Sequence, residues 1–78
     1  MKGRRRDPDI SPGEYEPGDY GFRNGWWWVC LPTGVLGRLD DGWTAEEHDD
    51  GTVTIRPSIH DAPLGWHGFL TRGEWVSI

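Results

Sequence analysis

Four side chains in this sequence could ligate a metal ion or move a proton near neutral pH: Cys30, His48, His60 and His67. Thiolate and imidazole both suit zinc, so one cysteine and three histidines are an adequate ligand set by type. Their spacing argues against it, because there is no C-x-x-C or H-x-x-x-H pair to bring two ligands to one ion. Cys30, His60 and His67 stand as the metal candidates, and no cofactor is expected. Ser58 with His60 or His67 and Asp61 has the composition of a hydrolytic triad, but no strained nucleophile turn accompanies it. Cys30 follows three tryptophans and Val29, the setting of a small buried hydrophobe. The acidic pairs Asp40-Asp41 and Asp49-Asp50 lack the spacing of a calcium loop and read first as turn formers.

The elements that would position these groups are strands. In residues 51–59, GTVTIRPSI, Val53, Ile55 and Ile59 share one parity while Thr52, Thr54 and Arg56 share the other, the alternation of a half-buried strand. Pro57 has no ladder donor, which predicts an edge strand or a strand end there. Residues 32–34, 40–42, 49–51 and 71–73 each place glycine third in a short polar tripeptide between apolar runs. That pattern predicts hairpins closed by a glycine of positive φ in a bulged turn. Six strands follow, at 26–31, 35–39, 43–48, 52–59, 66–70 and 74–78, with one long loop at 60–65. The prediction is all-β: a small antiparallel meander forming a partly open barrel or a two-layer sandwich.

Residues 1–25 read as a separate extended arm preceding a β-domain at 26–78. Pro8, Pro12, Gly13, Pro17 and Gly18 oppose helix and central strand alike. Tyr15, Tyr20 and Phe22 are apolar enough to lie on the domain or on a partner. Net charge is −5, yet Lys2, Arg4, Arg5 and Arg6 hold half of the eight basic residues, leaving four arginines against thirteen acids in the rest. An acidic body argues against a nucleic-acid face on the globular part, so only the basic start could touch phosphate. Among the six tryptophans, alternation sets Trp27 on the face opposite Trp26 and Trp28, which predicts an outward indole. The expected partner-binding set is therefore Arg4, Arg5, Arg6, Tyr15, Tyr20, Phe22 and Trp27.

Seventy-eight residues suffice for one domain whose core buries only ~60% of the unfolded chain's surface. No apolar run approaches the ~20 residues of a membrane helix, and the polar, basic start is unlike a signal peptide. With a single cysteine, folding in a reducing cytoplasm is expected.

The stretch 65–75, GWHGFLTRGEW, reads as a hairpin in which Trp66, Gly68 and Leu70 share a face and Trp75 packs across the turn. Together with residues 50–59 it resembles a family of short uncharacterised β-rich proteins from actinobacterial phages and bacteria, marked by a strand ending in Pro-Ser-Ile and a Trp-His-Gly-aromatic-Leu hairpin. The resemblance covers about residues 26–76. Cysteine-richer relatives look metal-binding, whereas this chain keeps His67 and has Leu64 and Gly65 where cysteine would be expected. The resemblance implies a phage setting, in the virion or host cytoplasm. The resulting expectation is a non-enzymatic binding or structural module, such as a capsid decoration or minor head or tail protein, docked on phage structural proteins. The alternatives are a zinc-binding or hydrolytic accessory protein centred on His60, Asp61 and His67, a host-takeover interaction protein, or a glycan or peptide binder using exposed indoles.

Overall fold

The alternating run around Val53 and Ile55 forms the longest strand of a computed structural model that describes all 78 residues. The molecule is all-β, with eight strands in two four-stranded sheets. The first sheet has the order β1 (Arg4–Arg5), β2 (Asp19–Arg23), β3 (Trp26–Cys30) and β4 (Leu36–Leu39). The second has β5 (Thr44–Glu47), β6 (Val53–Asp61), β7 (Trp66–Thr71) and β8 (Glu74–Ser77). Every neighbouring pair is antiparallel except β1 and β2, which run parallel. The sheets do not close into a barrel. Between them lies one core to which the first sheet and its loop contribute Tyr20, Val29, Leu31 and Leu39, and the second sheet Val53, Ile55, Ile59, Leu70 and Trp75.

The turns explain the topology. Gly34, Gly51 and Gly73 take φ of 94°, 85° and 75°, as their place in the tripeptides predicts. The turn at Arg72-Gly73 is nevertheless not bulged: both residues have positive φ, as in the two-residue type I′ hairpin. Residues 40–42 close no hairpin either. Asp40 instead accepts the Gly42 amide at 2.9 Å, and this turn carries the chain from β4 in one sheet to β5 in the other.

Pro57 sits in an interior strand, contrary to the edge expectation. Ile55 opposes Leu70 while Ile59 opposes Gly68, so β6 bulges between them, and the cis Arg56–Pro57 bond falls in that bulge where no ladder donor is required. Beyond it β6 runs on to Asp61, into the segment expected to be loop. Thr54 was expected to face outward but is buried; its hydroxyl accepts the Arg72 amide at 3.0 Å and bonds His48 Nε2 at 2.7 Å. Gly68 marks a close approach, since a Cβ there would collide with the Val76 carbonyl and the Trp66 ring. Trp66 and Trp75 meet edge to face at 5.8 Å.

The N-terminal residues are not a detached arm. Asn24-Gly25, with φ of 54° and 84°, makes a tight hairpin that pairs Asp19–Arg23 with Trp26–Cys30 and places β2 between β1 and β3. Pro8, Pro12, Gly13, Pro17 and Gly18 all fall within residues 8–18, which form a loop with one 3-10 turn at Pro12–Glu14.

Candidate functional site

Three groups of side chains carry the chemistry of this chain, and they lie on different surfaces. The first is the basic start. Arg4 donates to Asp19 through Nε at 3.1 Å and Nη2 at 3.2 Å, Arg6 donates through Nη1 at 2.7 Å, and the Glu16 amide adds a fourth bond at 2.8 Å. Asp19 itself is only 3% exposed. Burial alone would raise its pKa, but the hydrogen bonds from Arg4, the Glu16 amide and Arg6 outweigh that and hold it below the ordinary carboxylate value. Arg5 bridges to the second sheet, donating to the Gly51 carbonyl at 3.1 Å and to Glu47 at 2.8 Å while its guanidinium lies 5.2 Å from the centre of the Trp27 ring.

The aromatic members of the expected partner-binding set are also occupied. Tyr20, 2% exposed, belongs to the core, because the β2–β3 register gives it the inward parity of Val29. Trp27 has that same parity and packs against the core, so Trp26 and Trp28 take the opposite face of the sheet, where Arg38 stacks 4.0 Å over Trp26 and Trp28 is covered enough to enclose its Nε1. Alternation separated the three tryptophans as expected; the inner and outer assignment was reversed. Tyr15 lies with its hydroxyl over Gly21, where a Cβ would collide with it, and desolvation raises its pKa. Phe22, at 42% exposed, is the most open of the four and meets Trp27 edge-on at 5.3 Å.

The second group is on the outer face of the second sheet. His60 and His67 are directly opposed across β6 and β7, with ring centroids 4.9 Å apart, and His67 Nε2 hydrogen-bonds Ser58 Oγ at 2.7 Å. Asp61 does not join them: alternation turns its carboxylate to the inner side, where Oδ2 accepts the Thr33 hydroxyl at 3.2 Å. Cys30 is buried in the other sheet, with its pKa raised by desolvation and by Asp19. No three His, Cys, Asp or Glu side chains converge as a metal site would require. Ser58 and His67 thus form a hydrogen-bonded pair without an orienting carboxylate.

The third is a groove of about 350 Å³ on the side where β4 and β5 are the free edges of their sheets. Its walls are core side chains, Val29, Leu31, Leu39 and Ile59, with Trp43 on the flank and Asp61 the one acidic group. Trp43 is held by a hydrogen bond from Nε1 to the Ser58 carbonyl at 3.3 Å. Gly37 lies in the groove wall opposite Val29, and a Cβ built on it meets nothing within 4 Å. Asp61 thus belongs to this groove and not to a triad with Ser58 and His67, and Gly37 is a groove residue that the motifs of the sequence do not single out. The available signal was a glycine inside a strand pattern, which marks a place where something else approaches. Comparison with protein families, with curated proteins and with solved structures finds no match to the chain.

Proposed function

We propose that the protein is a non-enzymatic binding module that takes a short segment of a partner protein into the groove beside β4. One observation carries this reading: the sandwich is sealed along one side by its own N-terminal residues and left open along the other, so that core side chains line a cavity of about 350 Å³. Apolar surface of this kind, next to an edge strand whose outer ladder is unpaired, suits an added strand. The groove displaces the N-terminal residues as docking surface, since Arg4, Arg6 and Tyr20 are already engaged with Asp19 and the core. The resemblance to phage proteins supports a structural protein of the particle, or a host protein, as the partner.

The test uses Gly37→Val. Valine fits the open space, favours strand and fills the groove, so the variant should melt at or above the wild-type temperature while losing binding. Short blocked peptides of alternating valine and threonine serve as probes, with β4 amide shifts and Trp43 fluorescence as readouts. Peptides that leave β4 unperturbed, or that bind Gly37→Val as well as the wild type, would refute the groove.

The Ser58–His67 hydrogen bond favours a second reading, a weak hydrolase. It requires turnover of activated esters that disappears in both Ser58→Ala and His67→Ala; equal rates in wild type and variants would end it.

A further inference from the structure

Resting on the groove reading, we infer that the segment taken up carries a lysine or arginine side chain, and that this cation seats against Asp61. The carboxylate is only 7% exposed and has a single protein donor, the Thr33 hydroxyl on Oδ2. Its Oδ1 accepts no hydrogen bond from the protein. The only fully enclosed side-chain atom without a partner is Trp28 Nε1, so Oδ1 keeps an opening, and that opening is the groove it lines. An oxygen that opens into an apolar groove is hydrated while the groove is empty, and a cation that displaces that water supplies both a donor and a charge.

The protein offers no cation of its own at this place. Arg38 borders the groove, but its guanidinium stacks on Trp26 at the outer face. His60 borders it too, with its ring against His67 on the opposite side of β6. The net charge of −5 adds a long-range attraction for a basic segment. The four apolar walls would bury the methylene stem of such a side chain while its head reaches Oδ1, the arrangement long basic side chains favour. A strand added to β4 projects alternate side chains to one face, so one inward lysine or arginine fills the groove and its neighbours do not.

The experiment compares three short blocked peptides of alternating valine and threonine that differ only at the central position, which is lysine, norleucine or glutamate. With the wild-type protein, the lysine peptide should bind roughly tenfold more tightly than the norleucine peptide, a difference of about 1.4 kcal/mol, and the glutamate peptide most weakly. Asp61→Asn should bring lysine and norleucine to near equality. Thr33→Val removes the competing donor but keeps the carboxylate, so it should widen the preference, and it guards against misfolding of the first variant. If Gly37→Val abolishes binding but wild type holds norleucine as tightly as lysine, the cation inference is wrong and the groove reading survives. Binding untouched by Gly37→Val overturns both.

Discussion

At the scale of the residue, Asp19 is the best-connected polar side chain in the molecule, with two arginines and a backbone amide on one buried carboxylate. Its folded pKa lies below the ordinary value of 3.8, so the linkage has a definite sign. The stability it contributes is fully present above that ordinary value and is lost as pH falls through the depressed folded value. Acid titration should accordingly release the N-terminal residues, and amide resonances of Arg4 and Arg6 followed by NMR should shift together below about pH 4. Asp19→Ala should cost about 1–3 kcal/mol in chemical denaturation, the low side of what a buried charge pair commands, because Arg4 can return to water. A cost indistinguishable from zero would mean that the clamp is ornamental. Cys30 gives a second residue-scale expectation. Burial and a raised pKa both keep it from the thiolate form, so disulfide reagents at neutral pH should modify it only in denaturant.

At the scale of the element, the glycines of two hairpins in the second sheet separate backbone strain from steric clash. Gly51 and Gly73 both have positive φ, but a Cβ on Gly51 meets nothing, whereas one on Gly73 approaches the Tyr20 hydroxyl at 3.0 Å and the Thr52 side chain at 3.1 Å. Valine at position 51 should cost about 1 kcal/mol or somewhat more from φ alone, and valine at 73 distinctly more, as read by urea midpoints. Equal costs would show that the contact across the sheets is not tight. These hairpins were legible in the sequence because glycine, parity and turn residues act within a few positions of one another. The β2–β3 hairpin was legible too, in Asn24-Gly25, but the density of proline and glycine before it outweighed that signal. What local pattern could not show is where strands go once formed: that 40–42 changes sheets, that Pro57 falls in a bulge, and that Asp61 turns away from His67. Those depend on contacts between distant residues, as does the open groove, which exists only because β4 and β5 both end up as edges.

At the scale of the whole molecule, residues 1–6 work as a seam. Gly3 donates to the Gly73 carbonyl at 2.7 Å and Met1 accepts the Trp75 amide at 2.8 Å, tying the chain to the second sheet. Immediately after Gly3, Arg4 and Arg6 donate through their backbone amides to the carbonyls of Gly18 and Tyr20 at 3.2 and 2.8 Å, tying the chain to the first sheet. The crossing happens at Gly3, where a Cβ would stand 2.9 Å from both the Gly18 and the Gly73 carbonyls. No other residue type passes there without moving the sheets apart, so Gly3→Ala should be destabilising despite its place near the chain start. Deleting residues 1–6 removes the seam, strands the Asp19 carboxylate without its arginines and uncovers the edge of β8. A chain of this length has about 4–12 kcal/mol of stability in total, and the deletion forfeits about 3 kcal/mol or more of it. With about 4–8 °C per kcal/mol for a domain this small, the melting temperature should fall by at least roughly 10 °C. Hydrogen exchange supplies the independent check: the amides of Gly3, Arg4 and Arg6 should exchange as slowly as those of the core strands, because they open only when the sheets part. Fast exchange at those three positions, together with an unchanged melting temperature in the truncated chain, would make the basic start an idle tail and return it to the list of surfaces free to meet a partner.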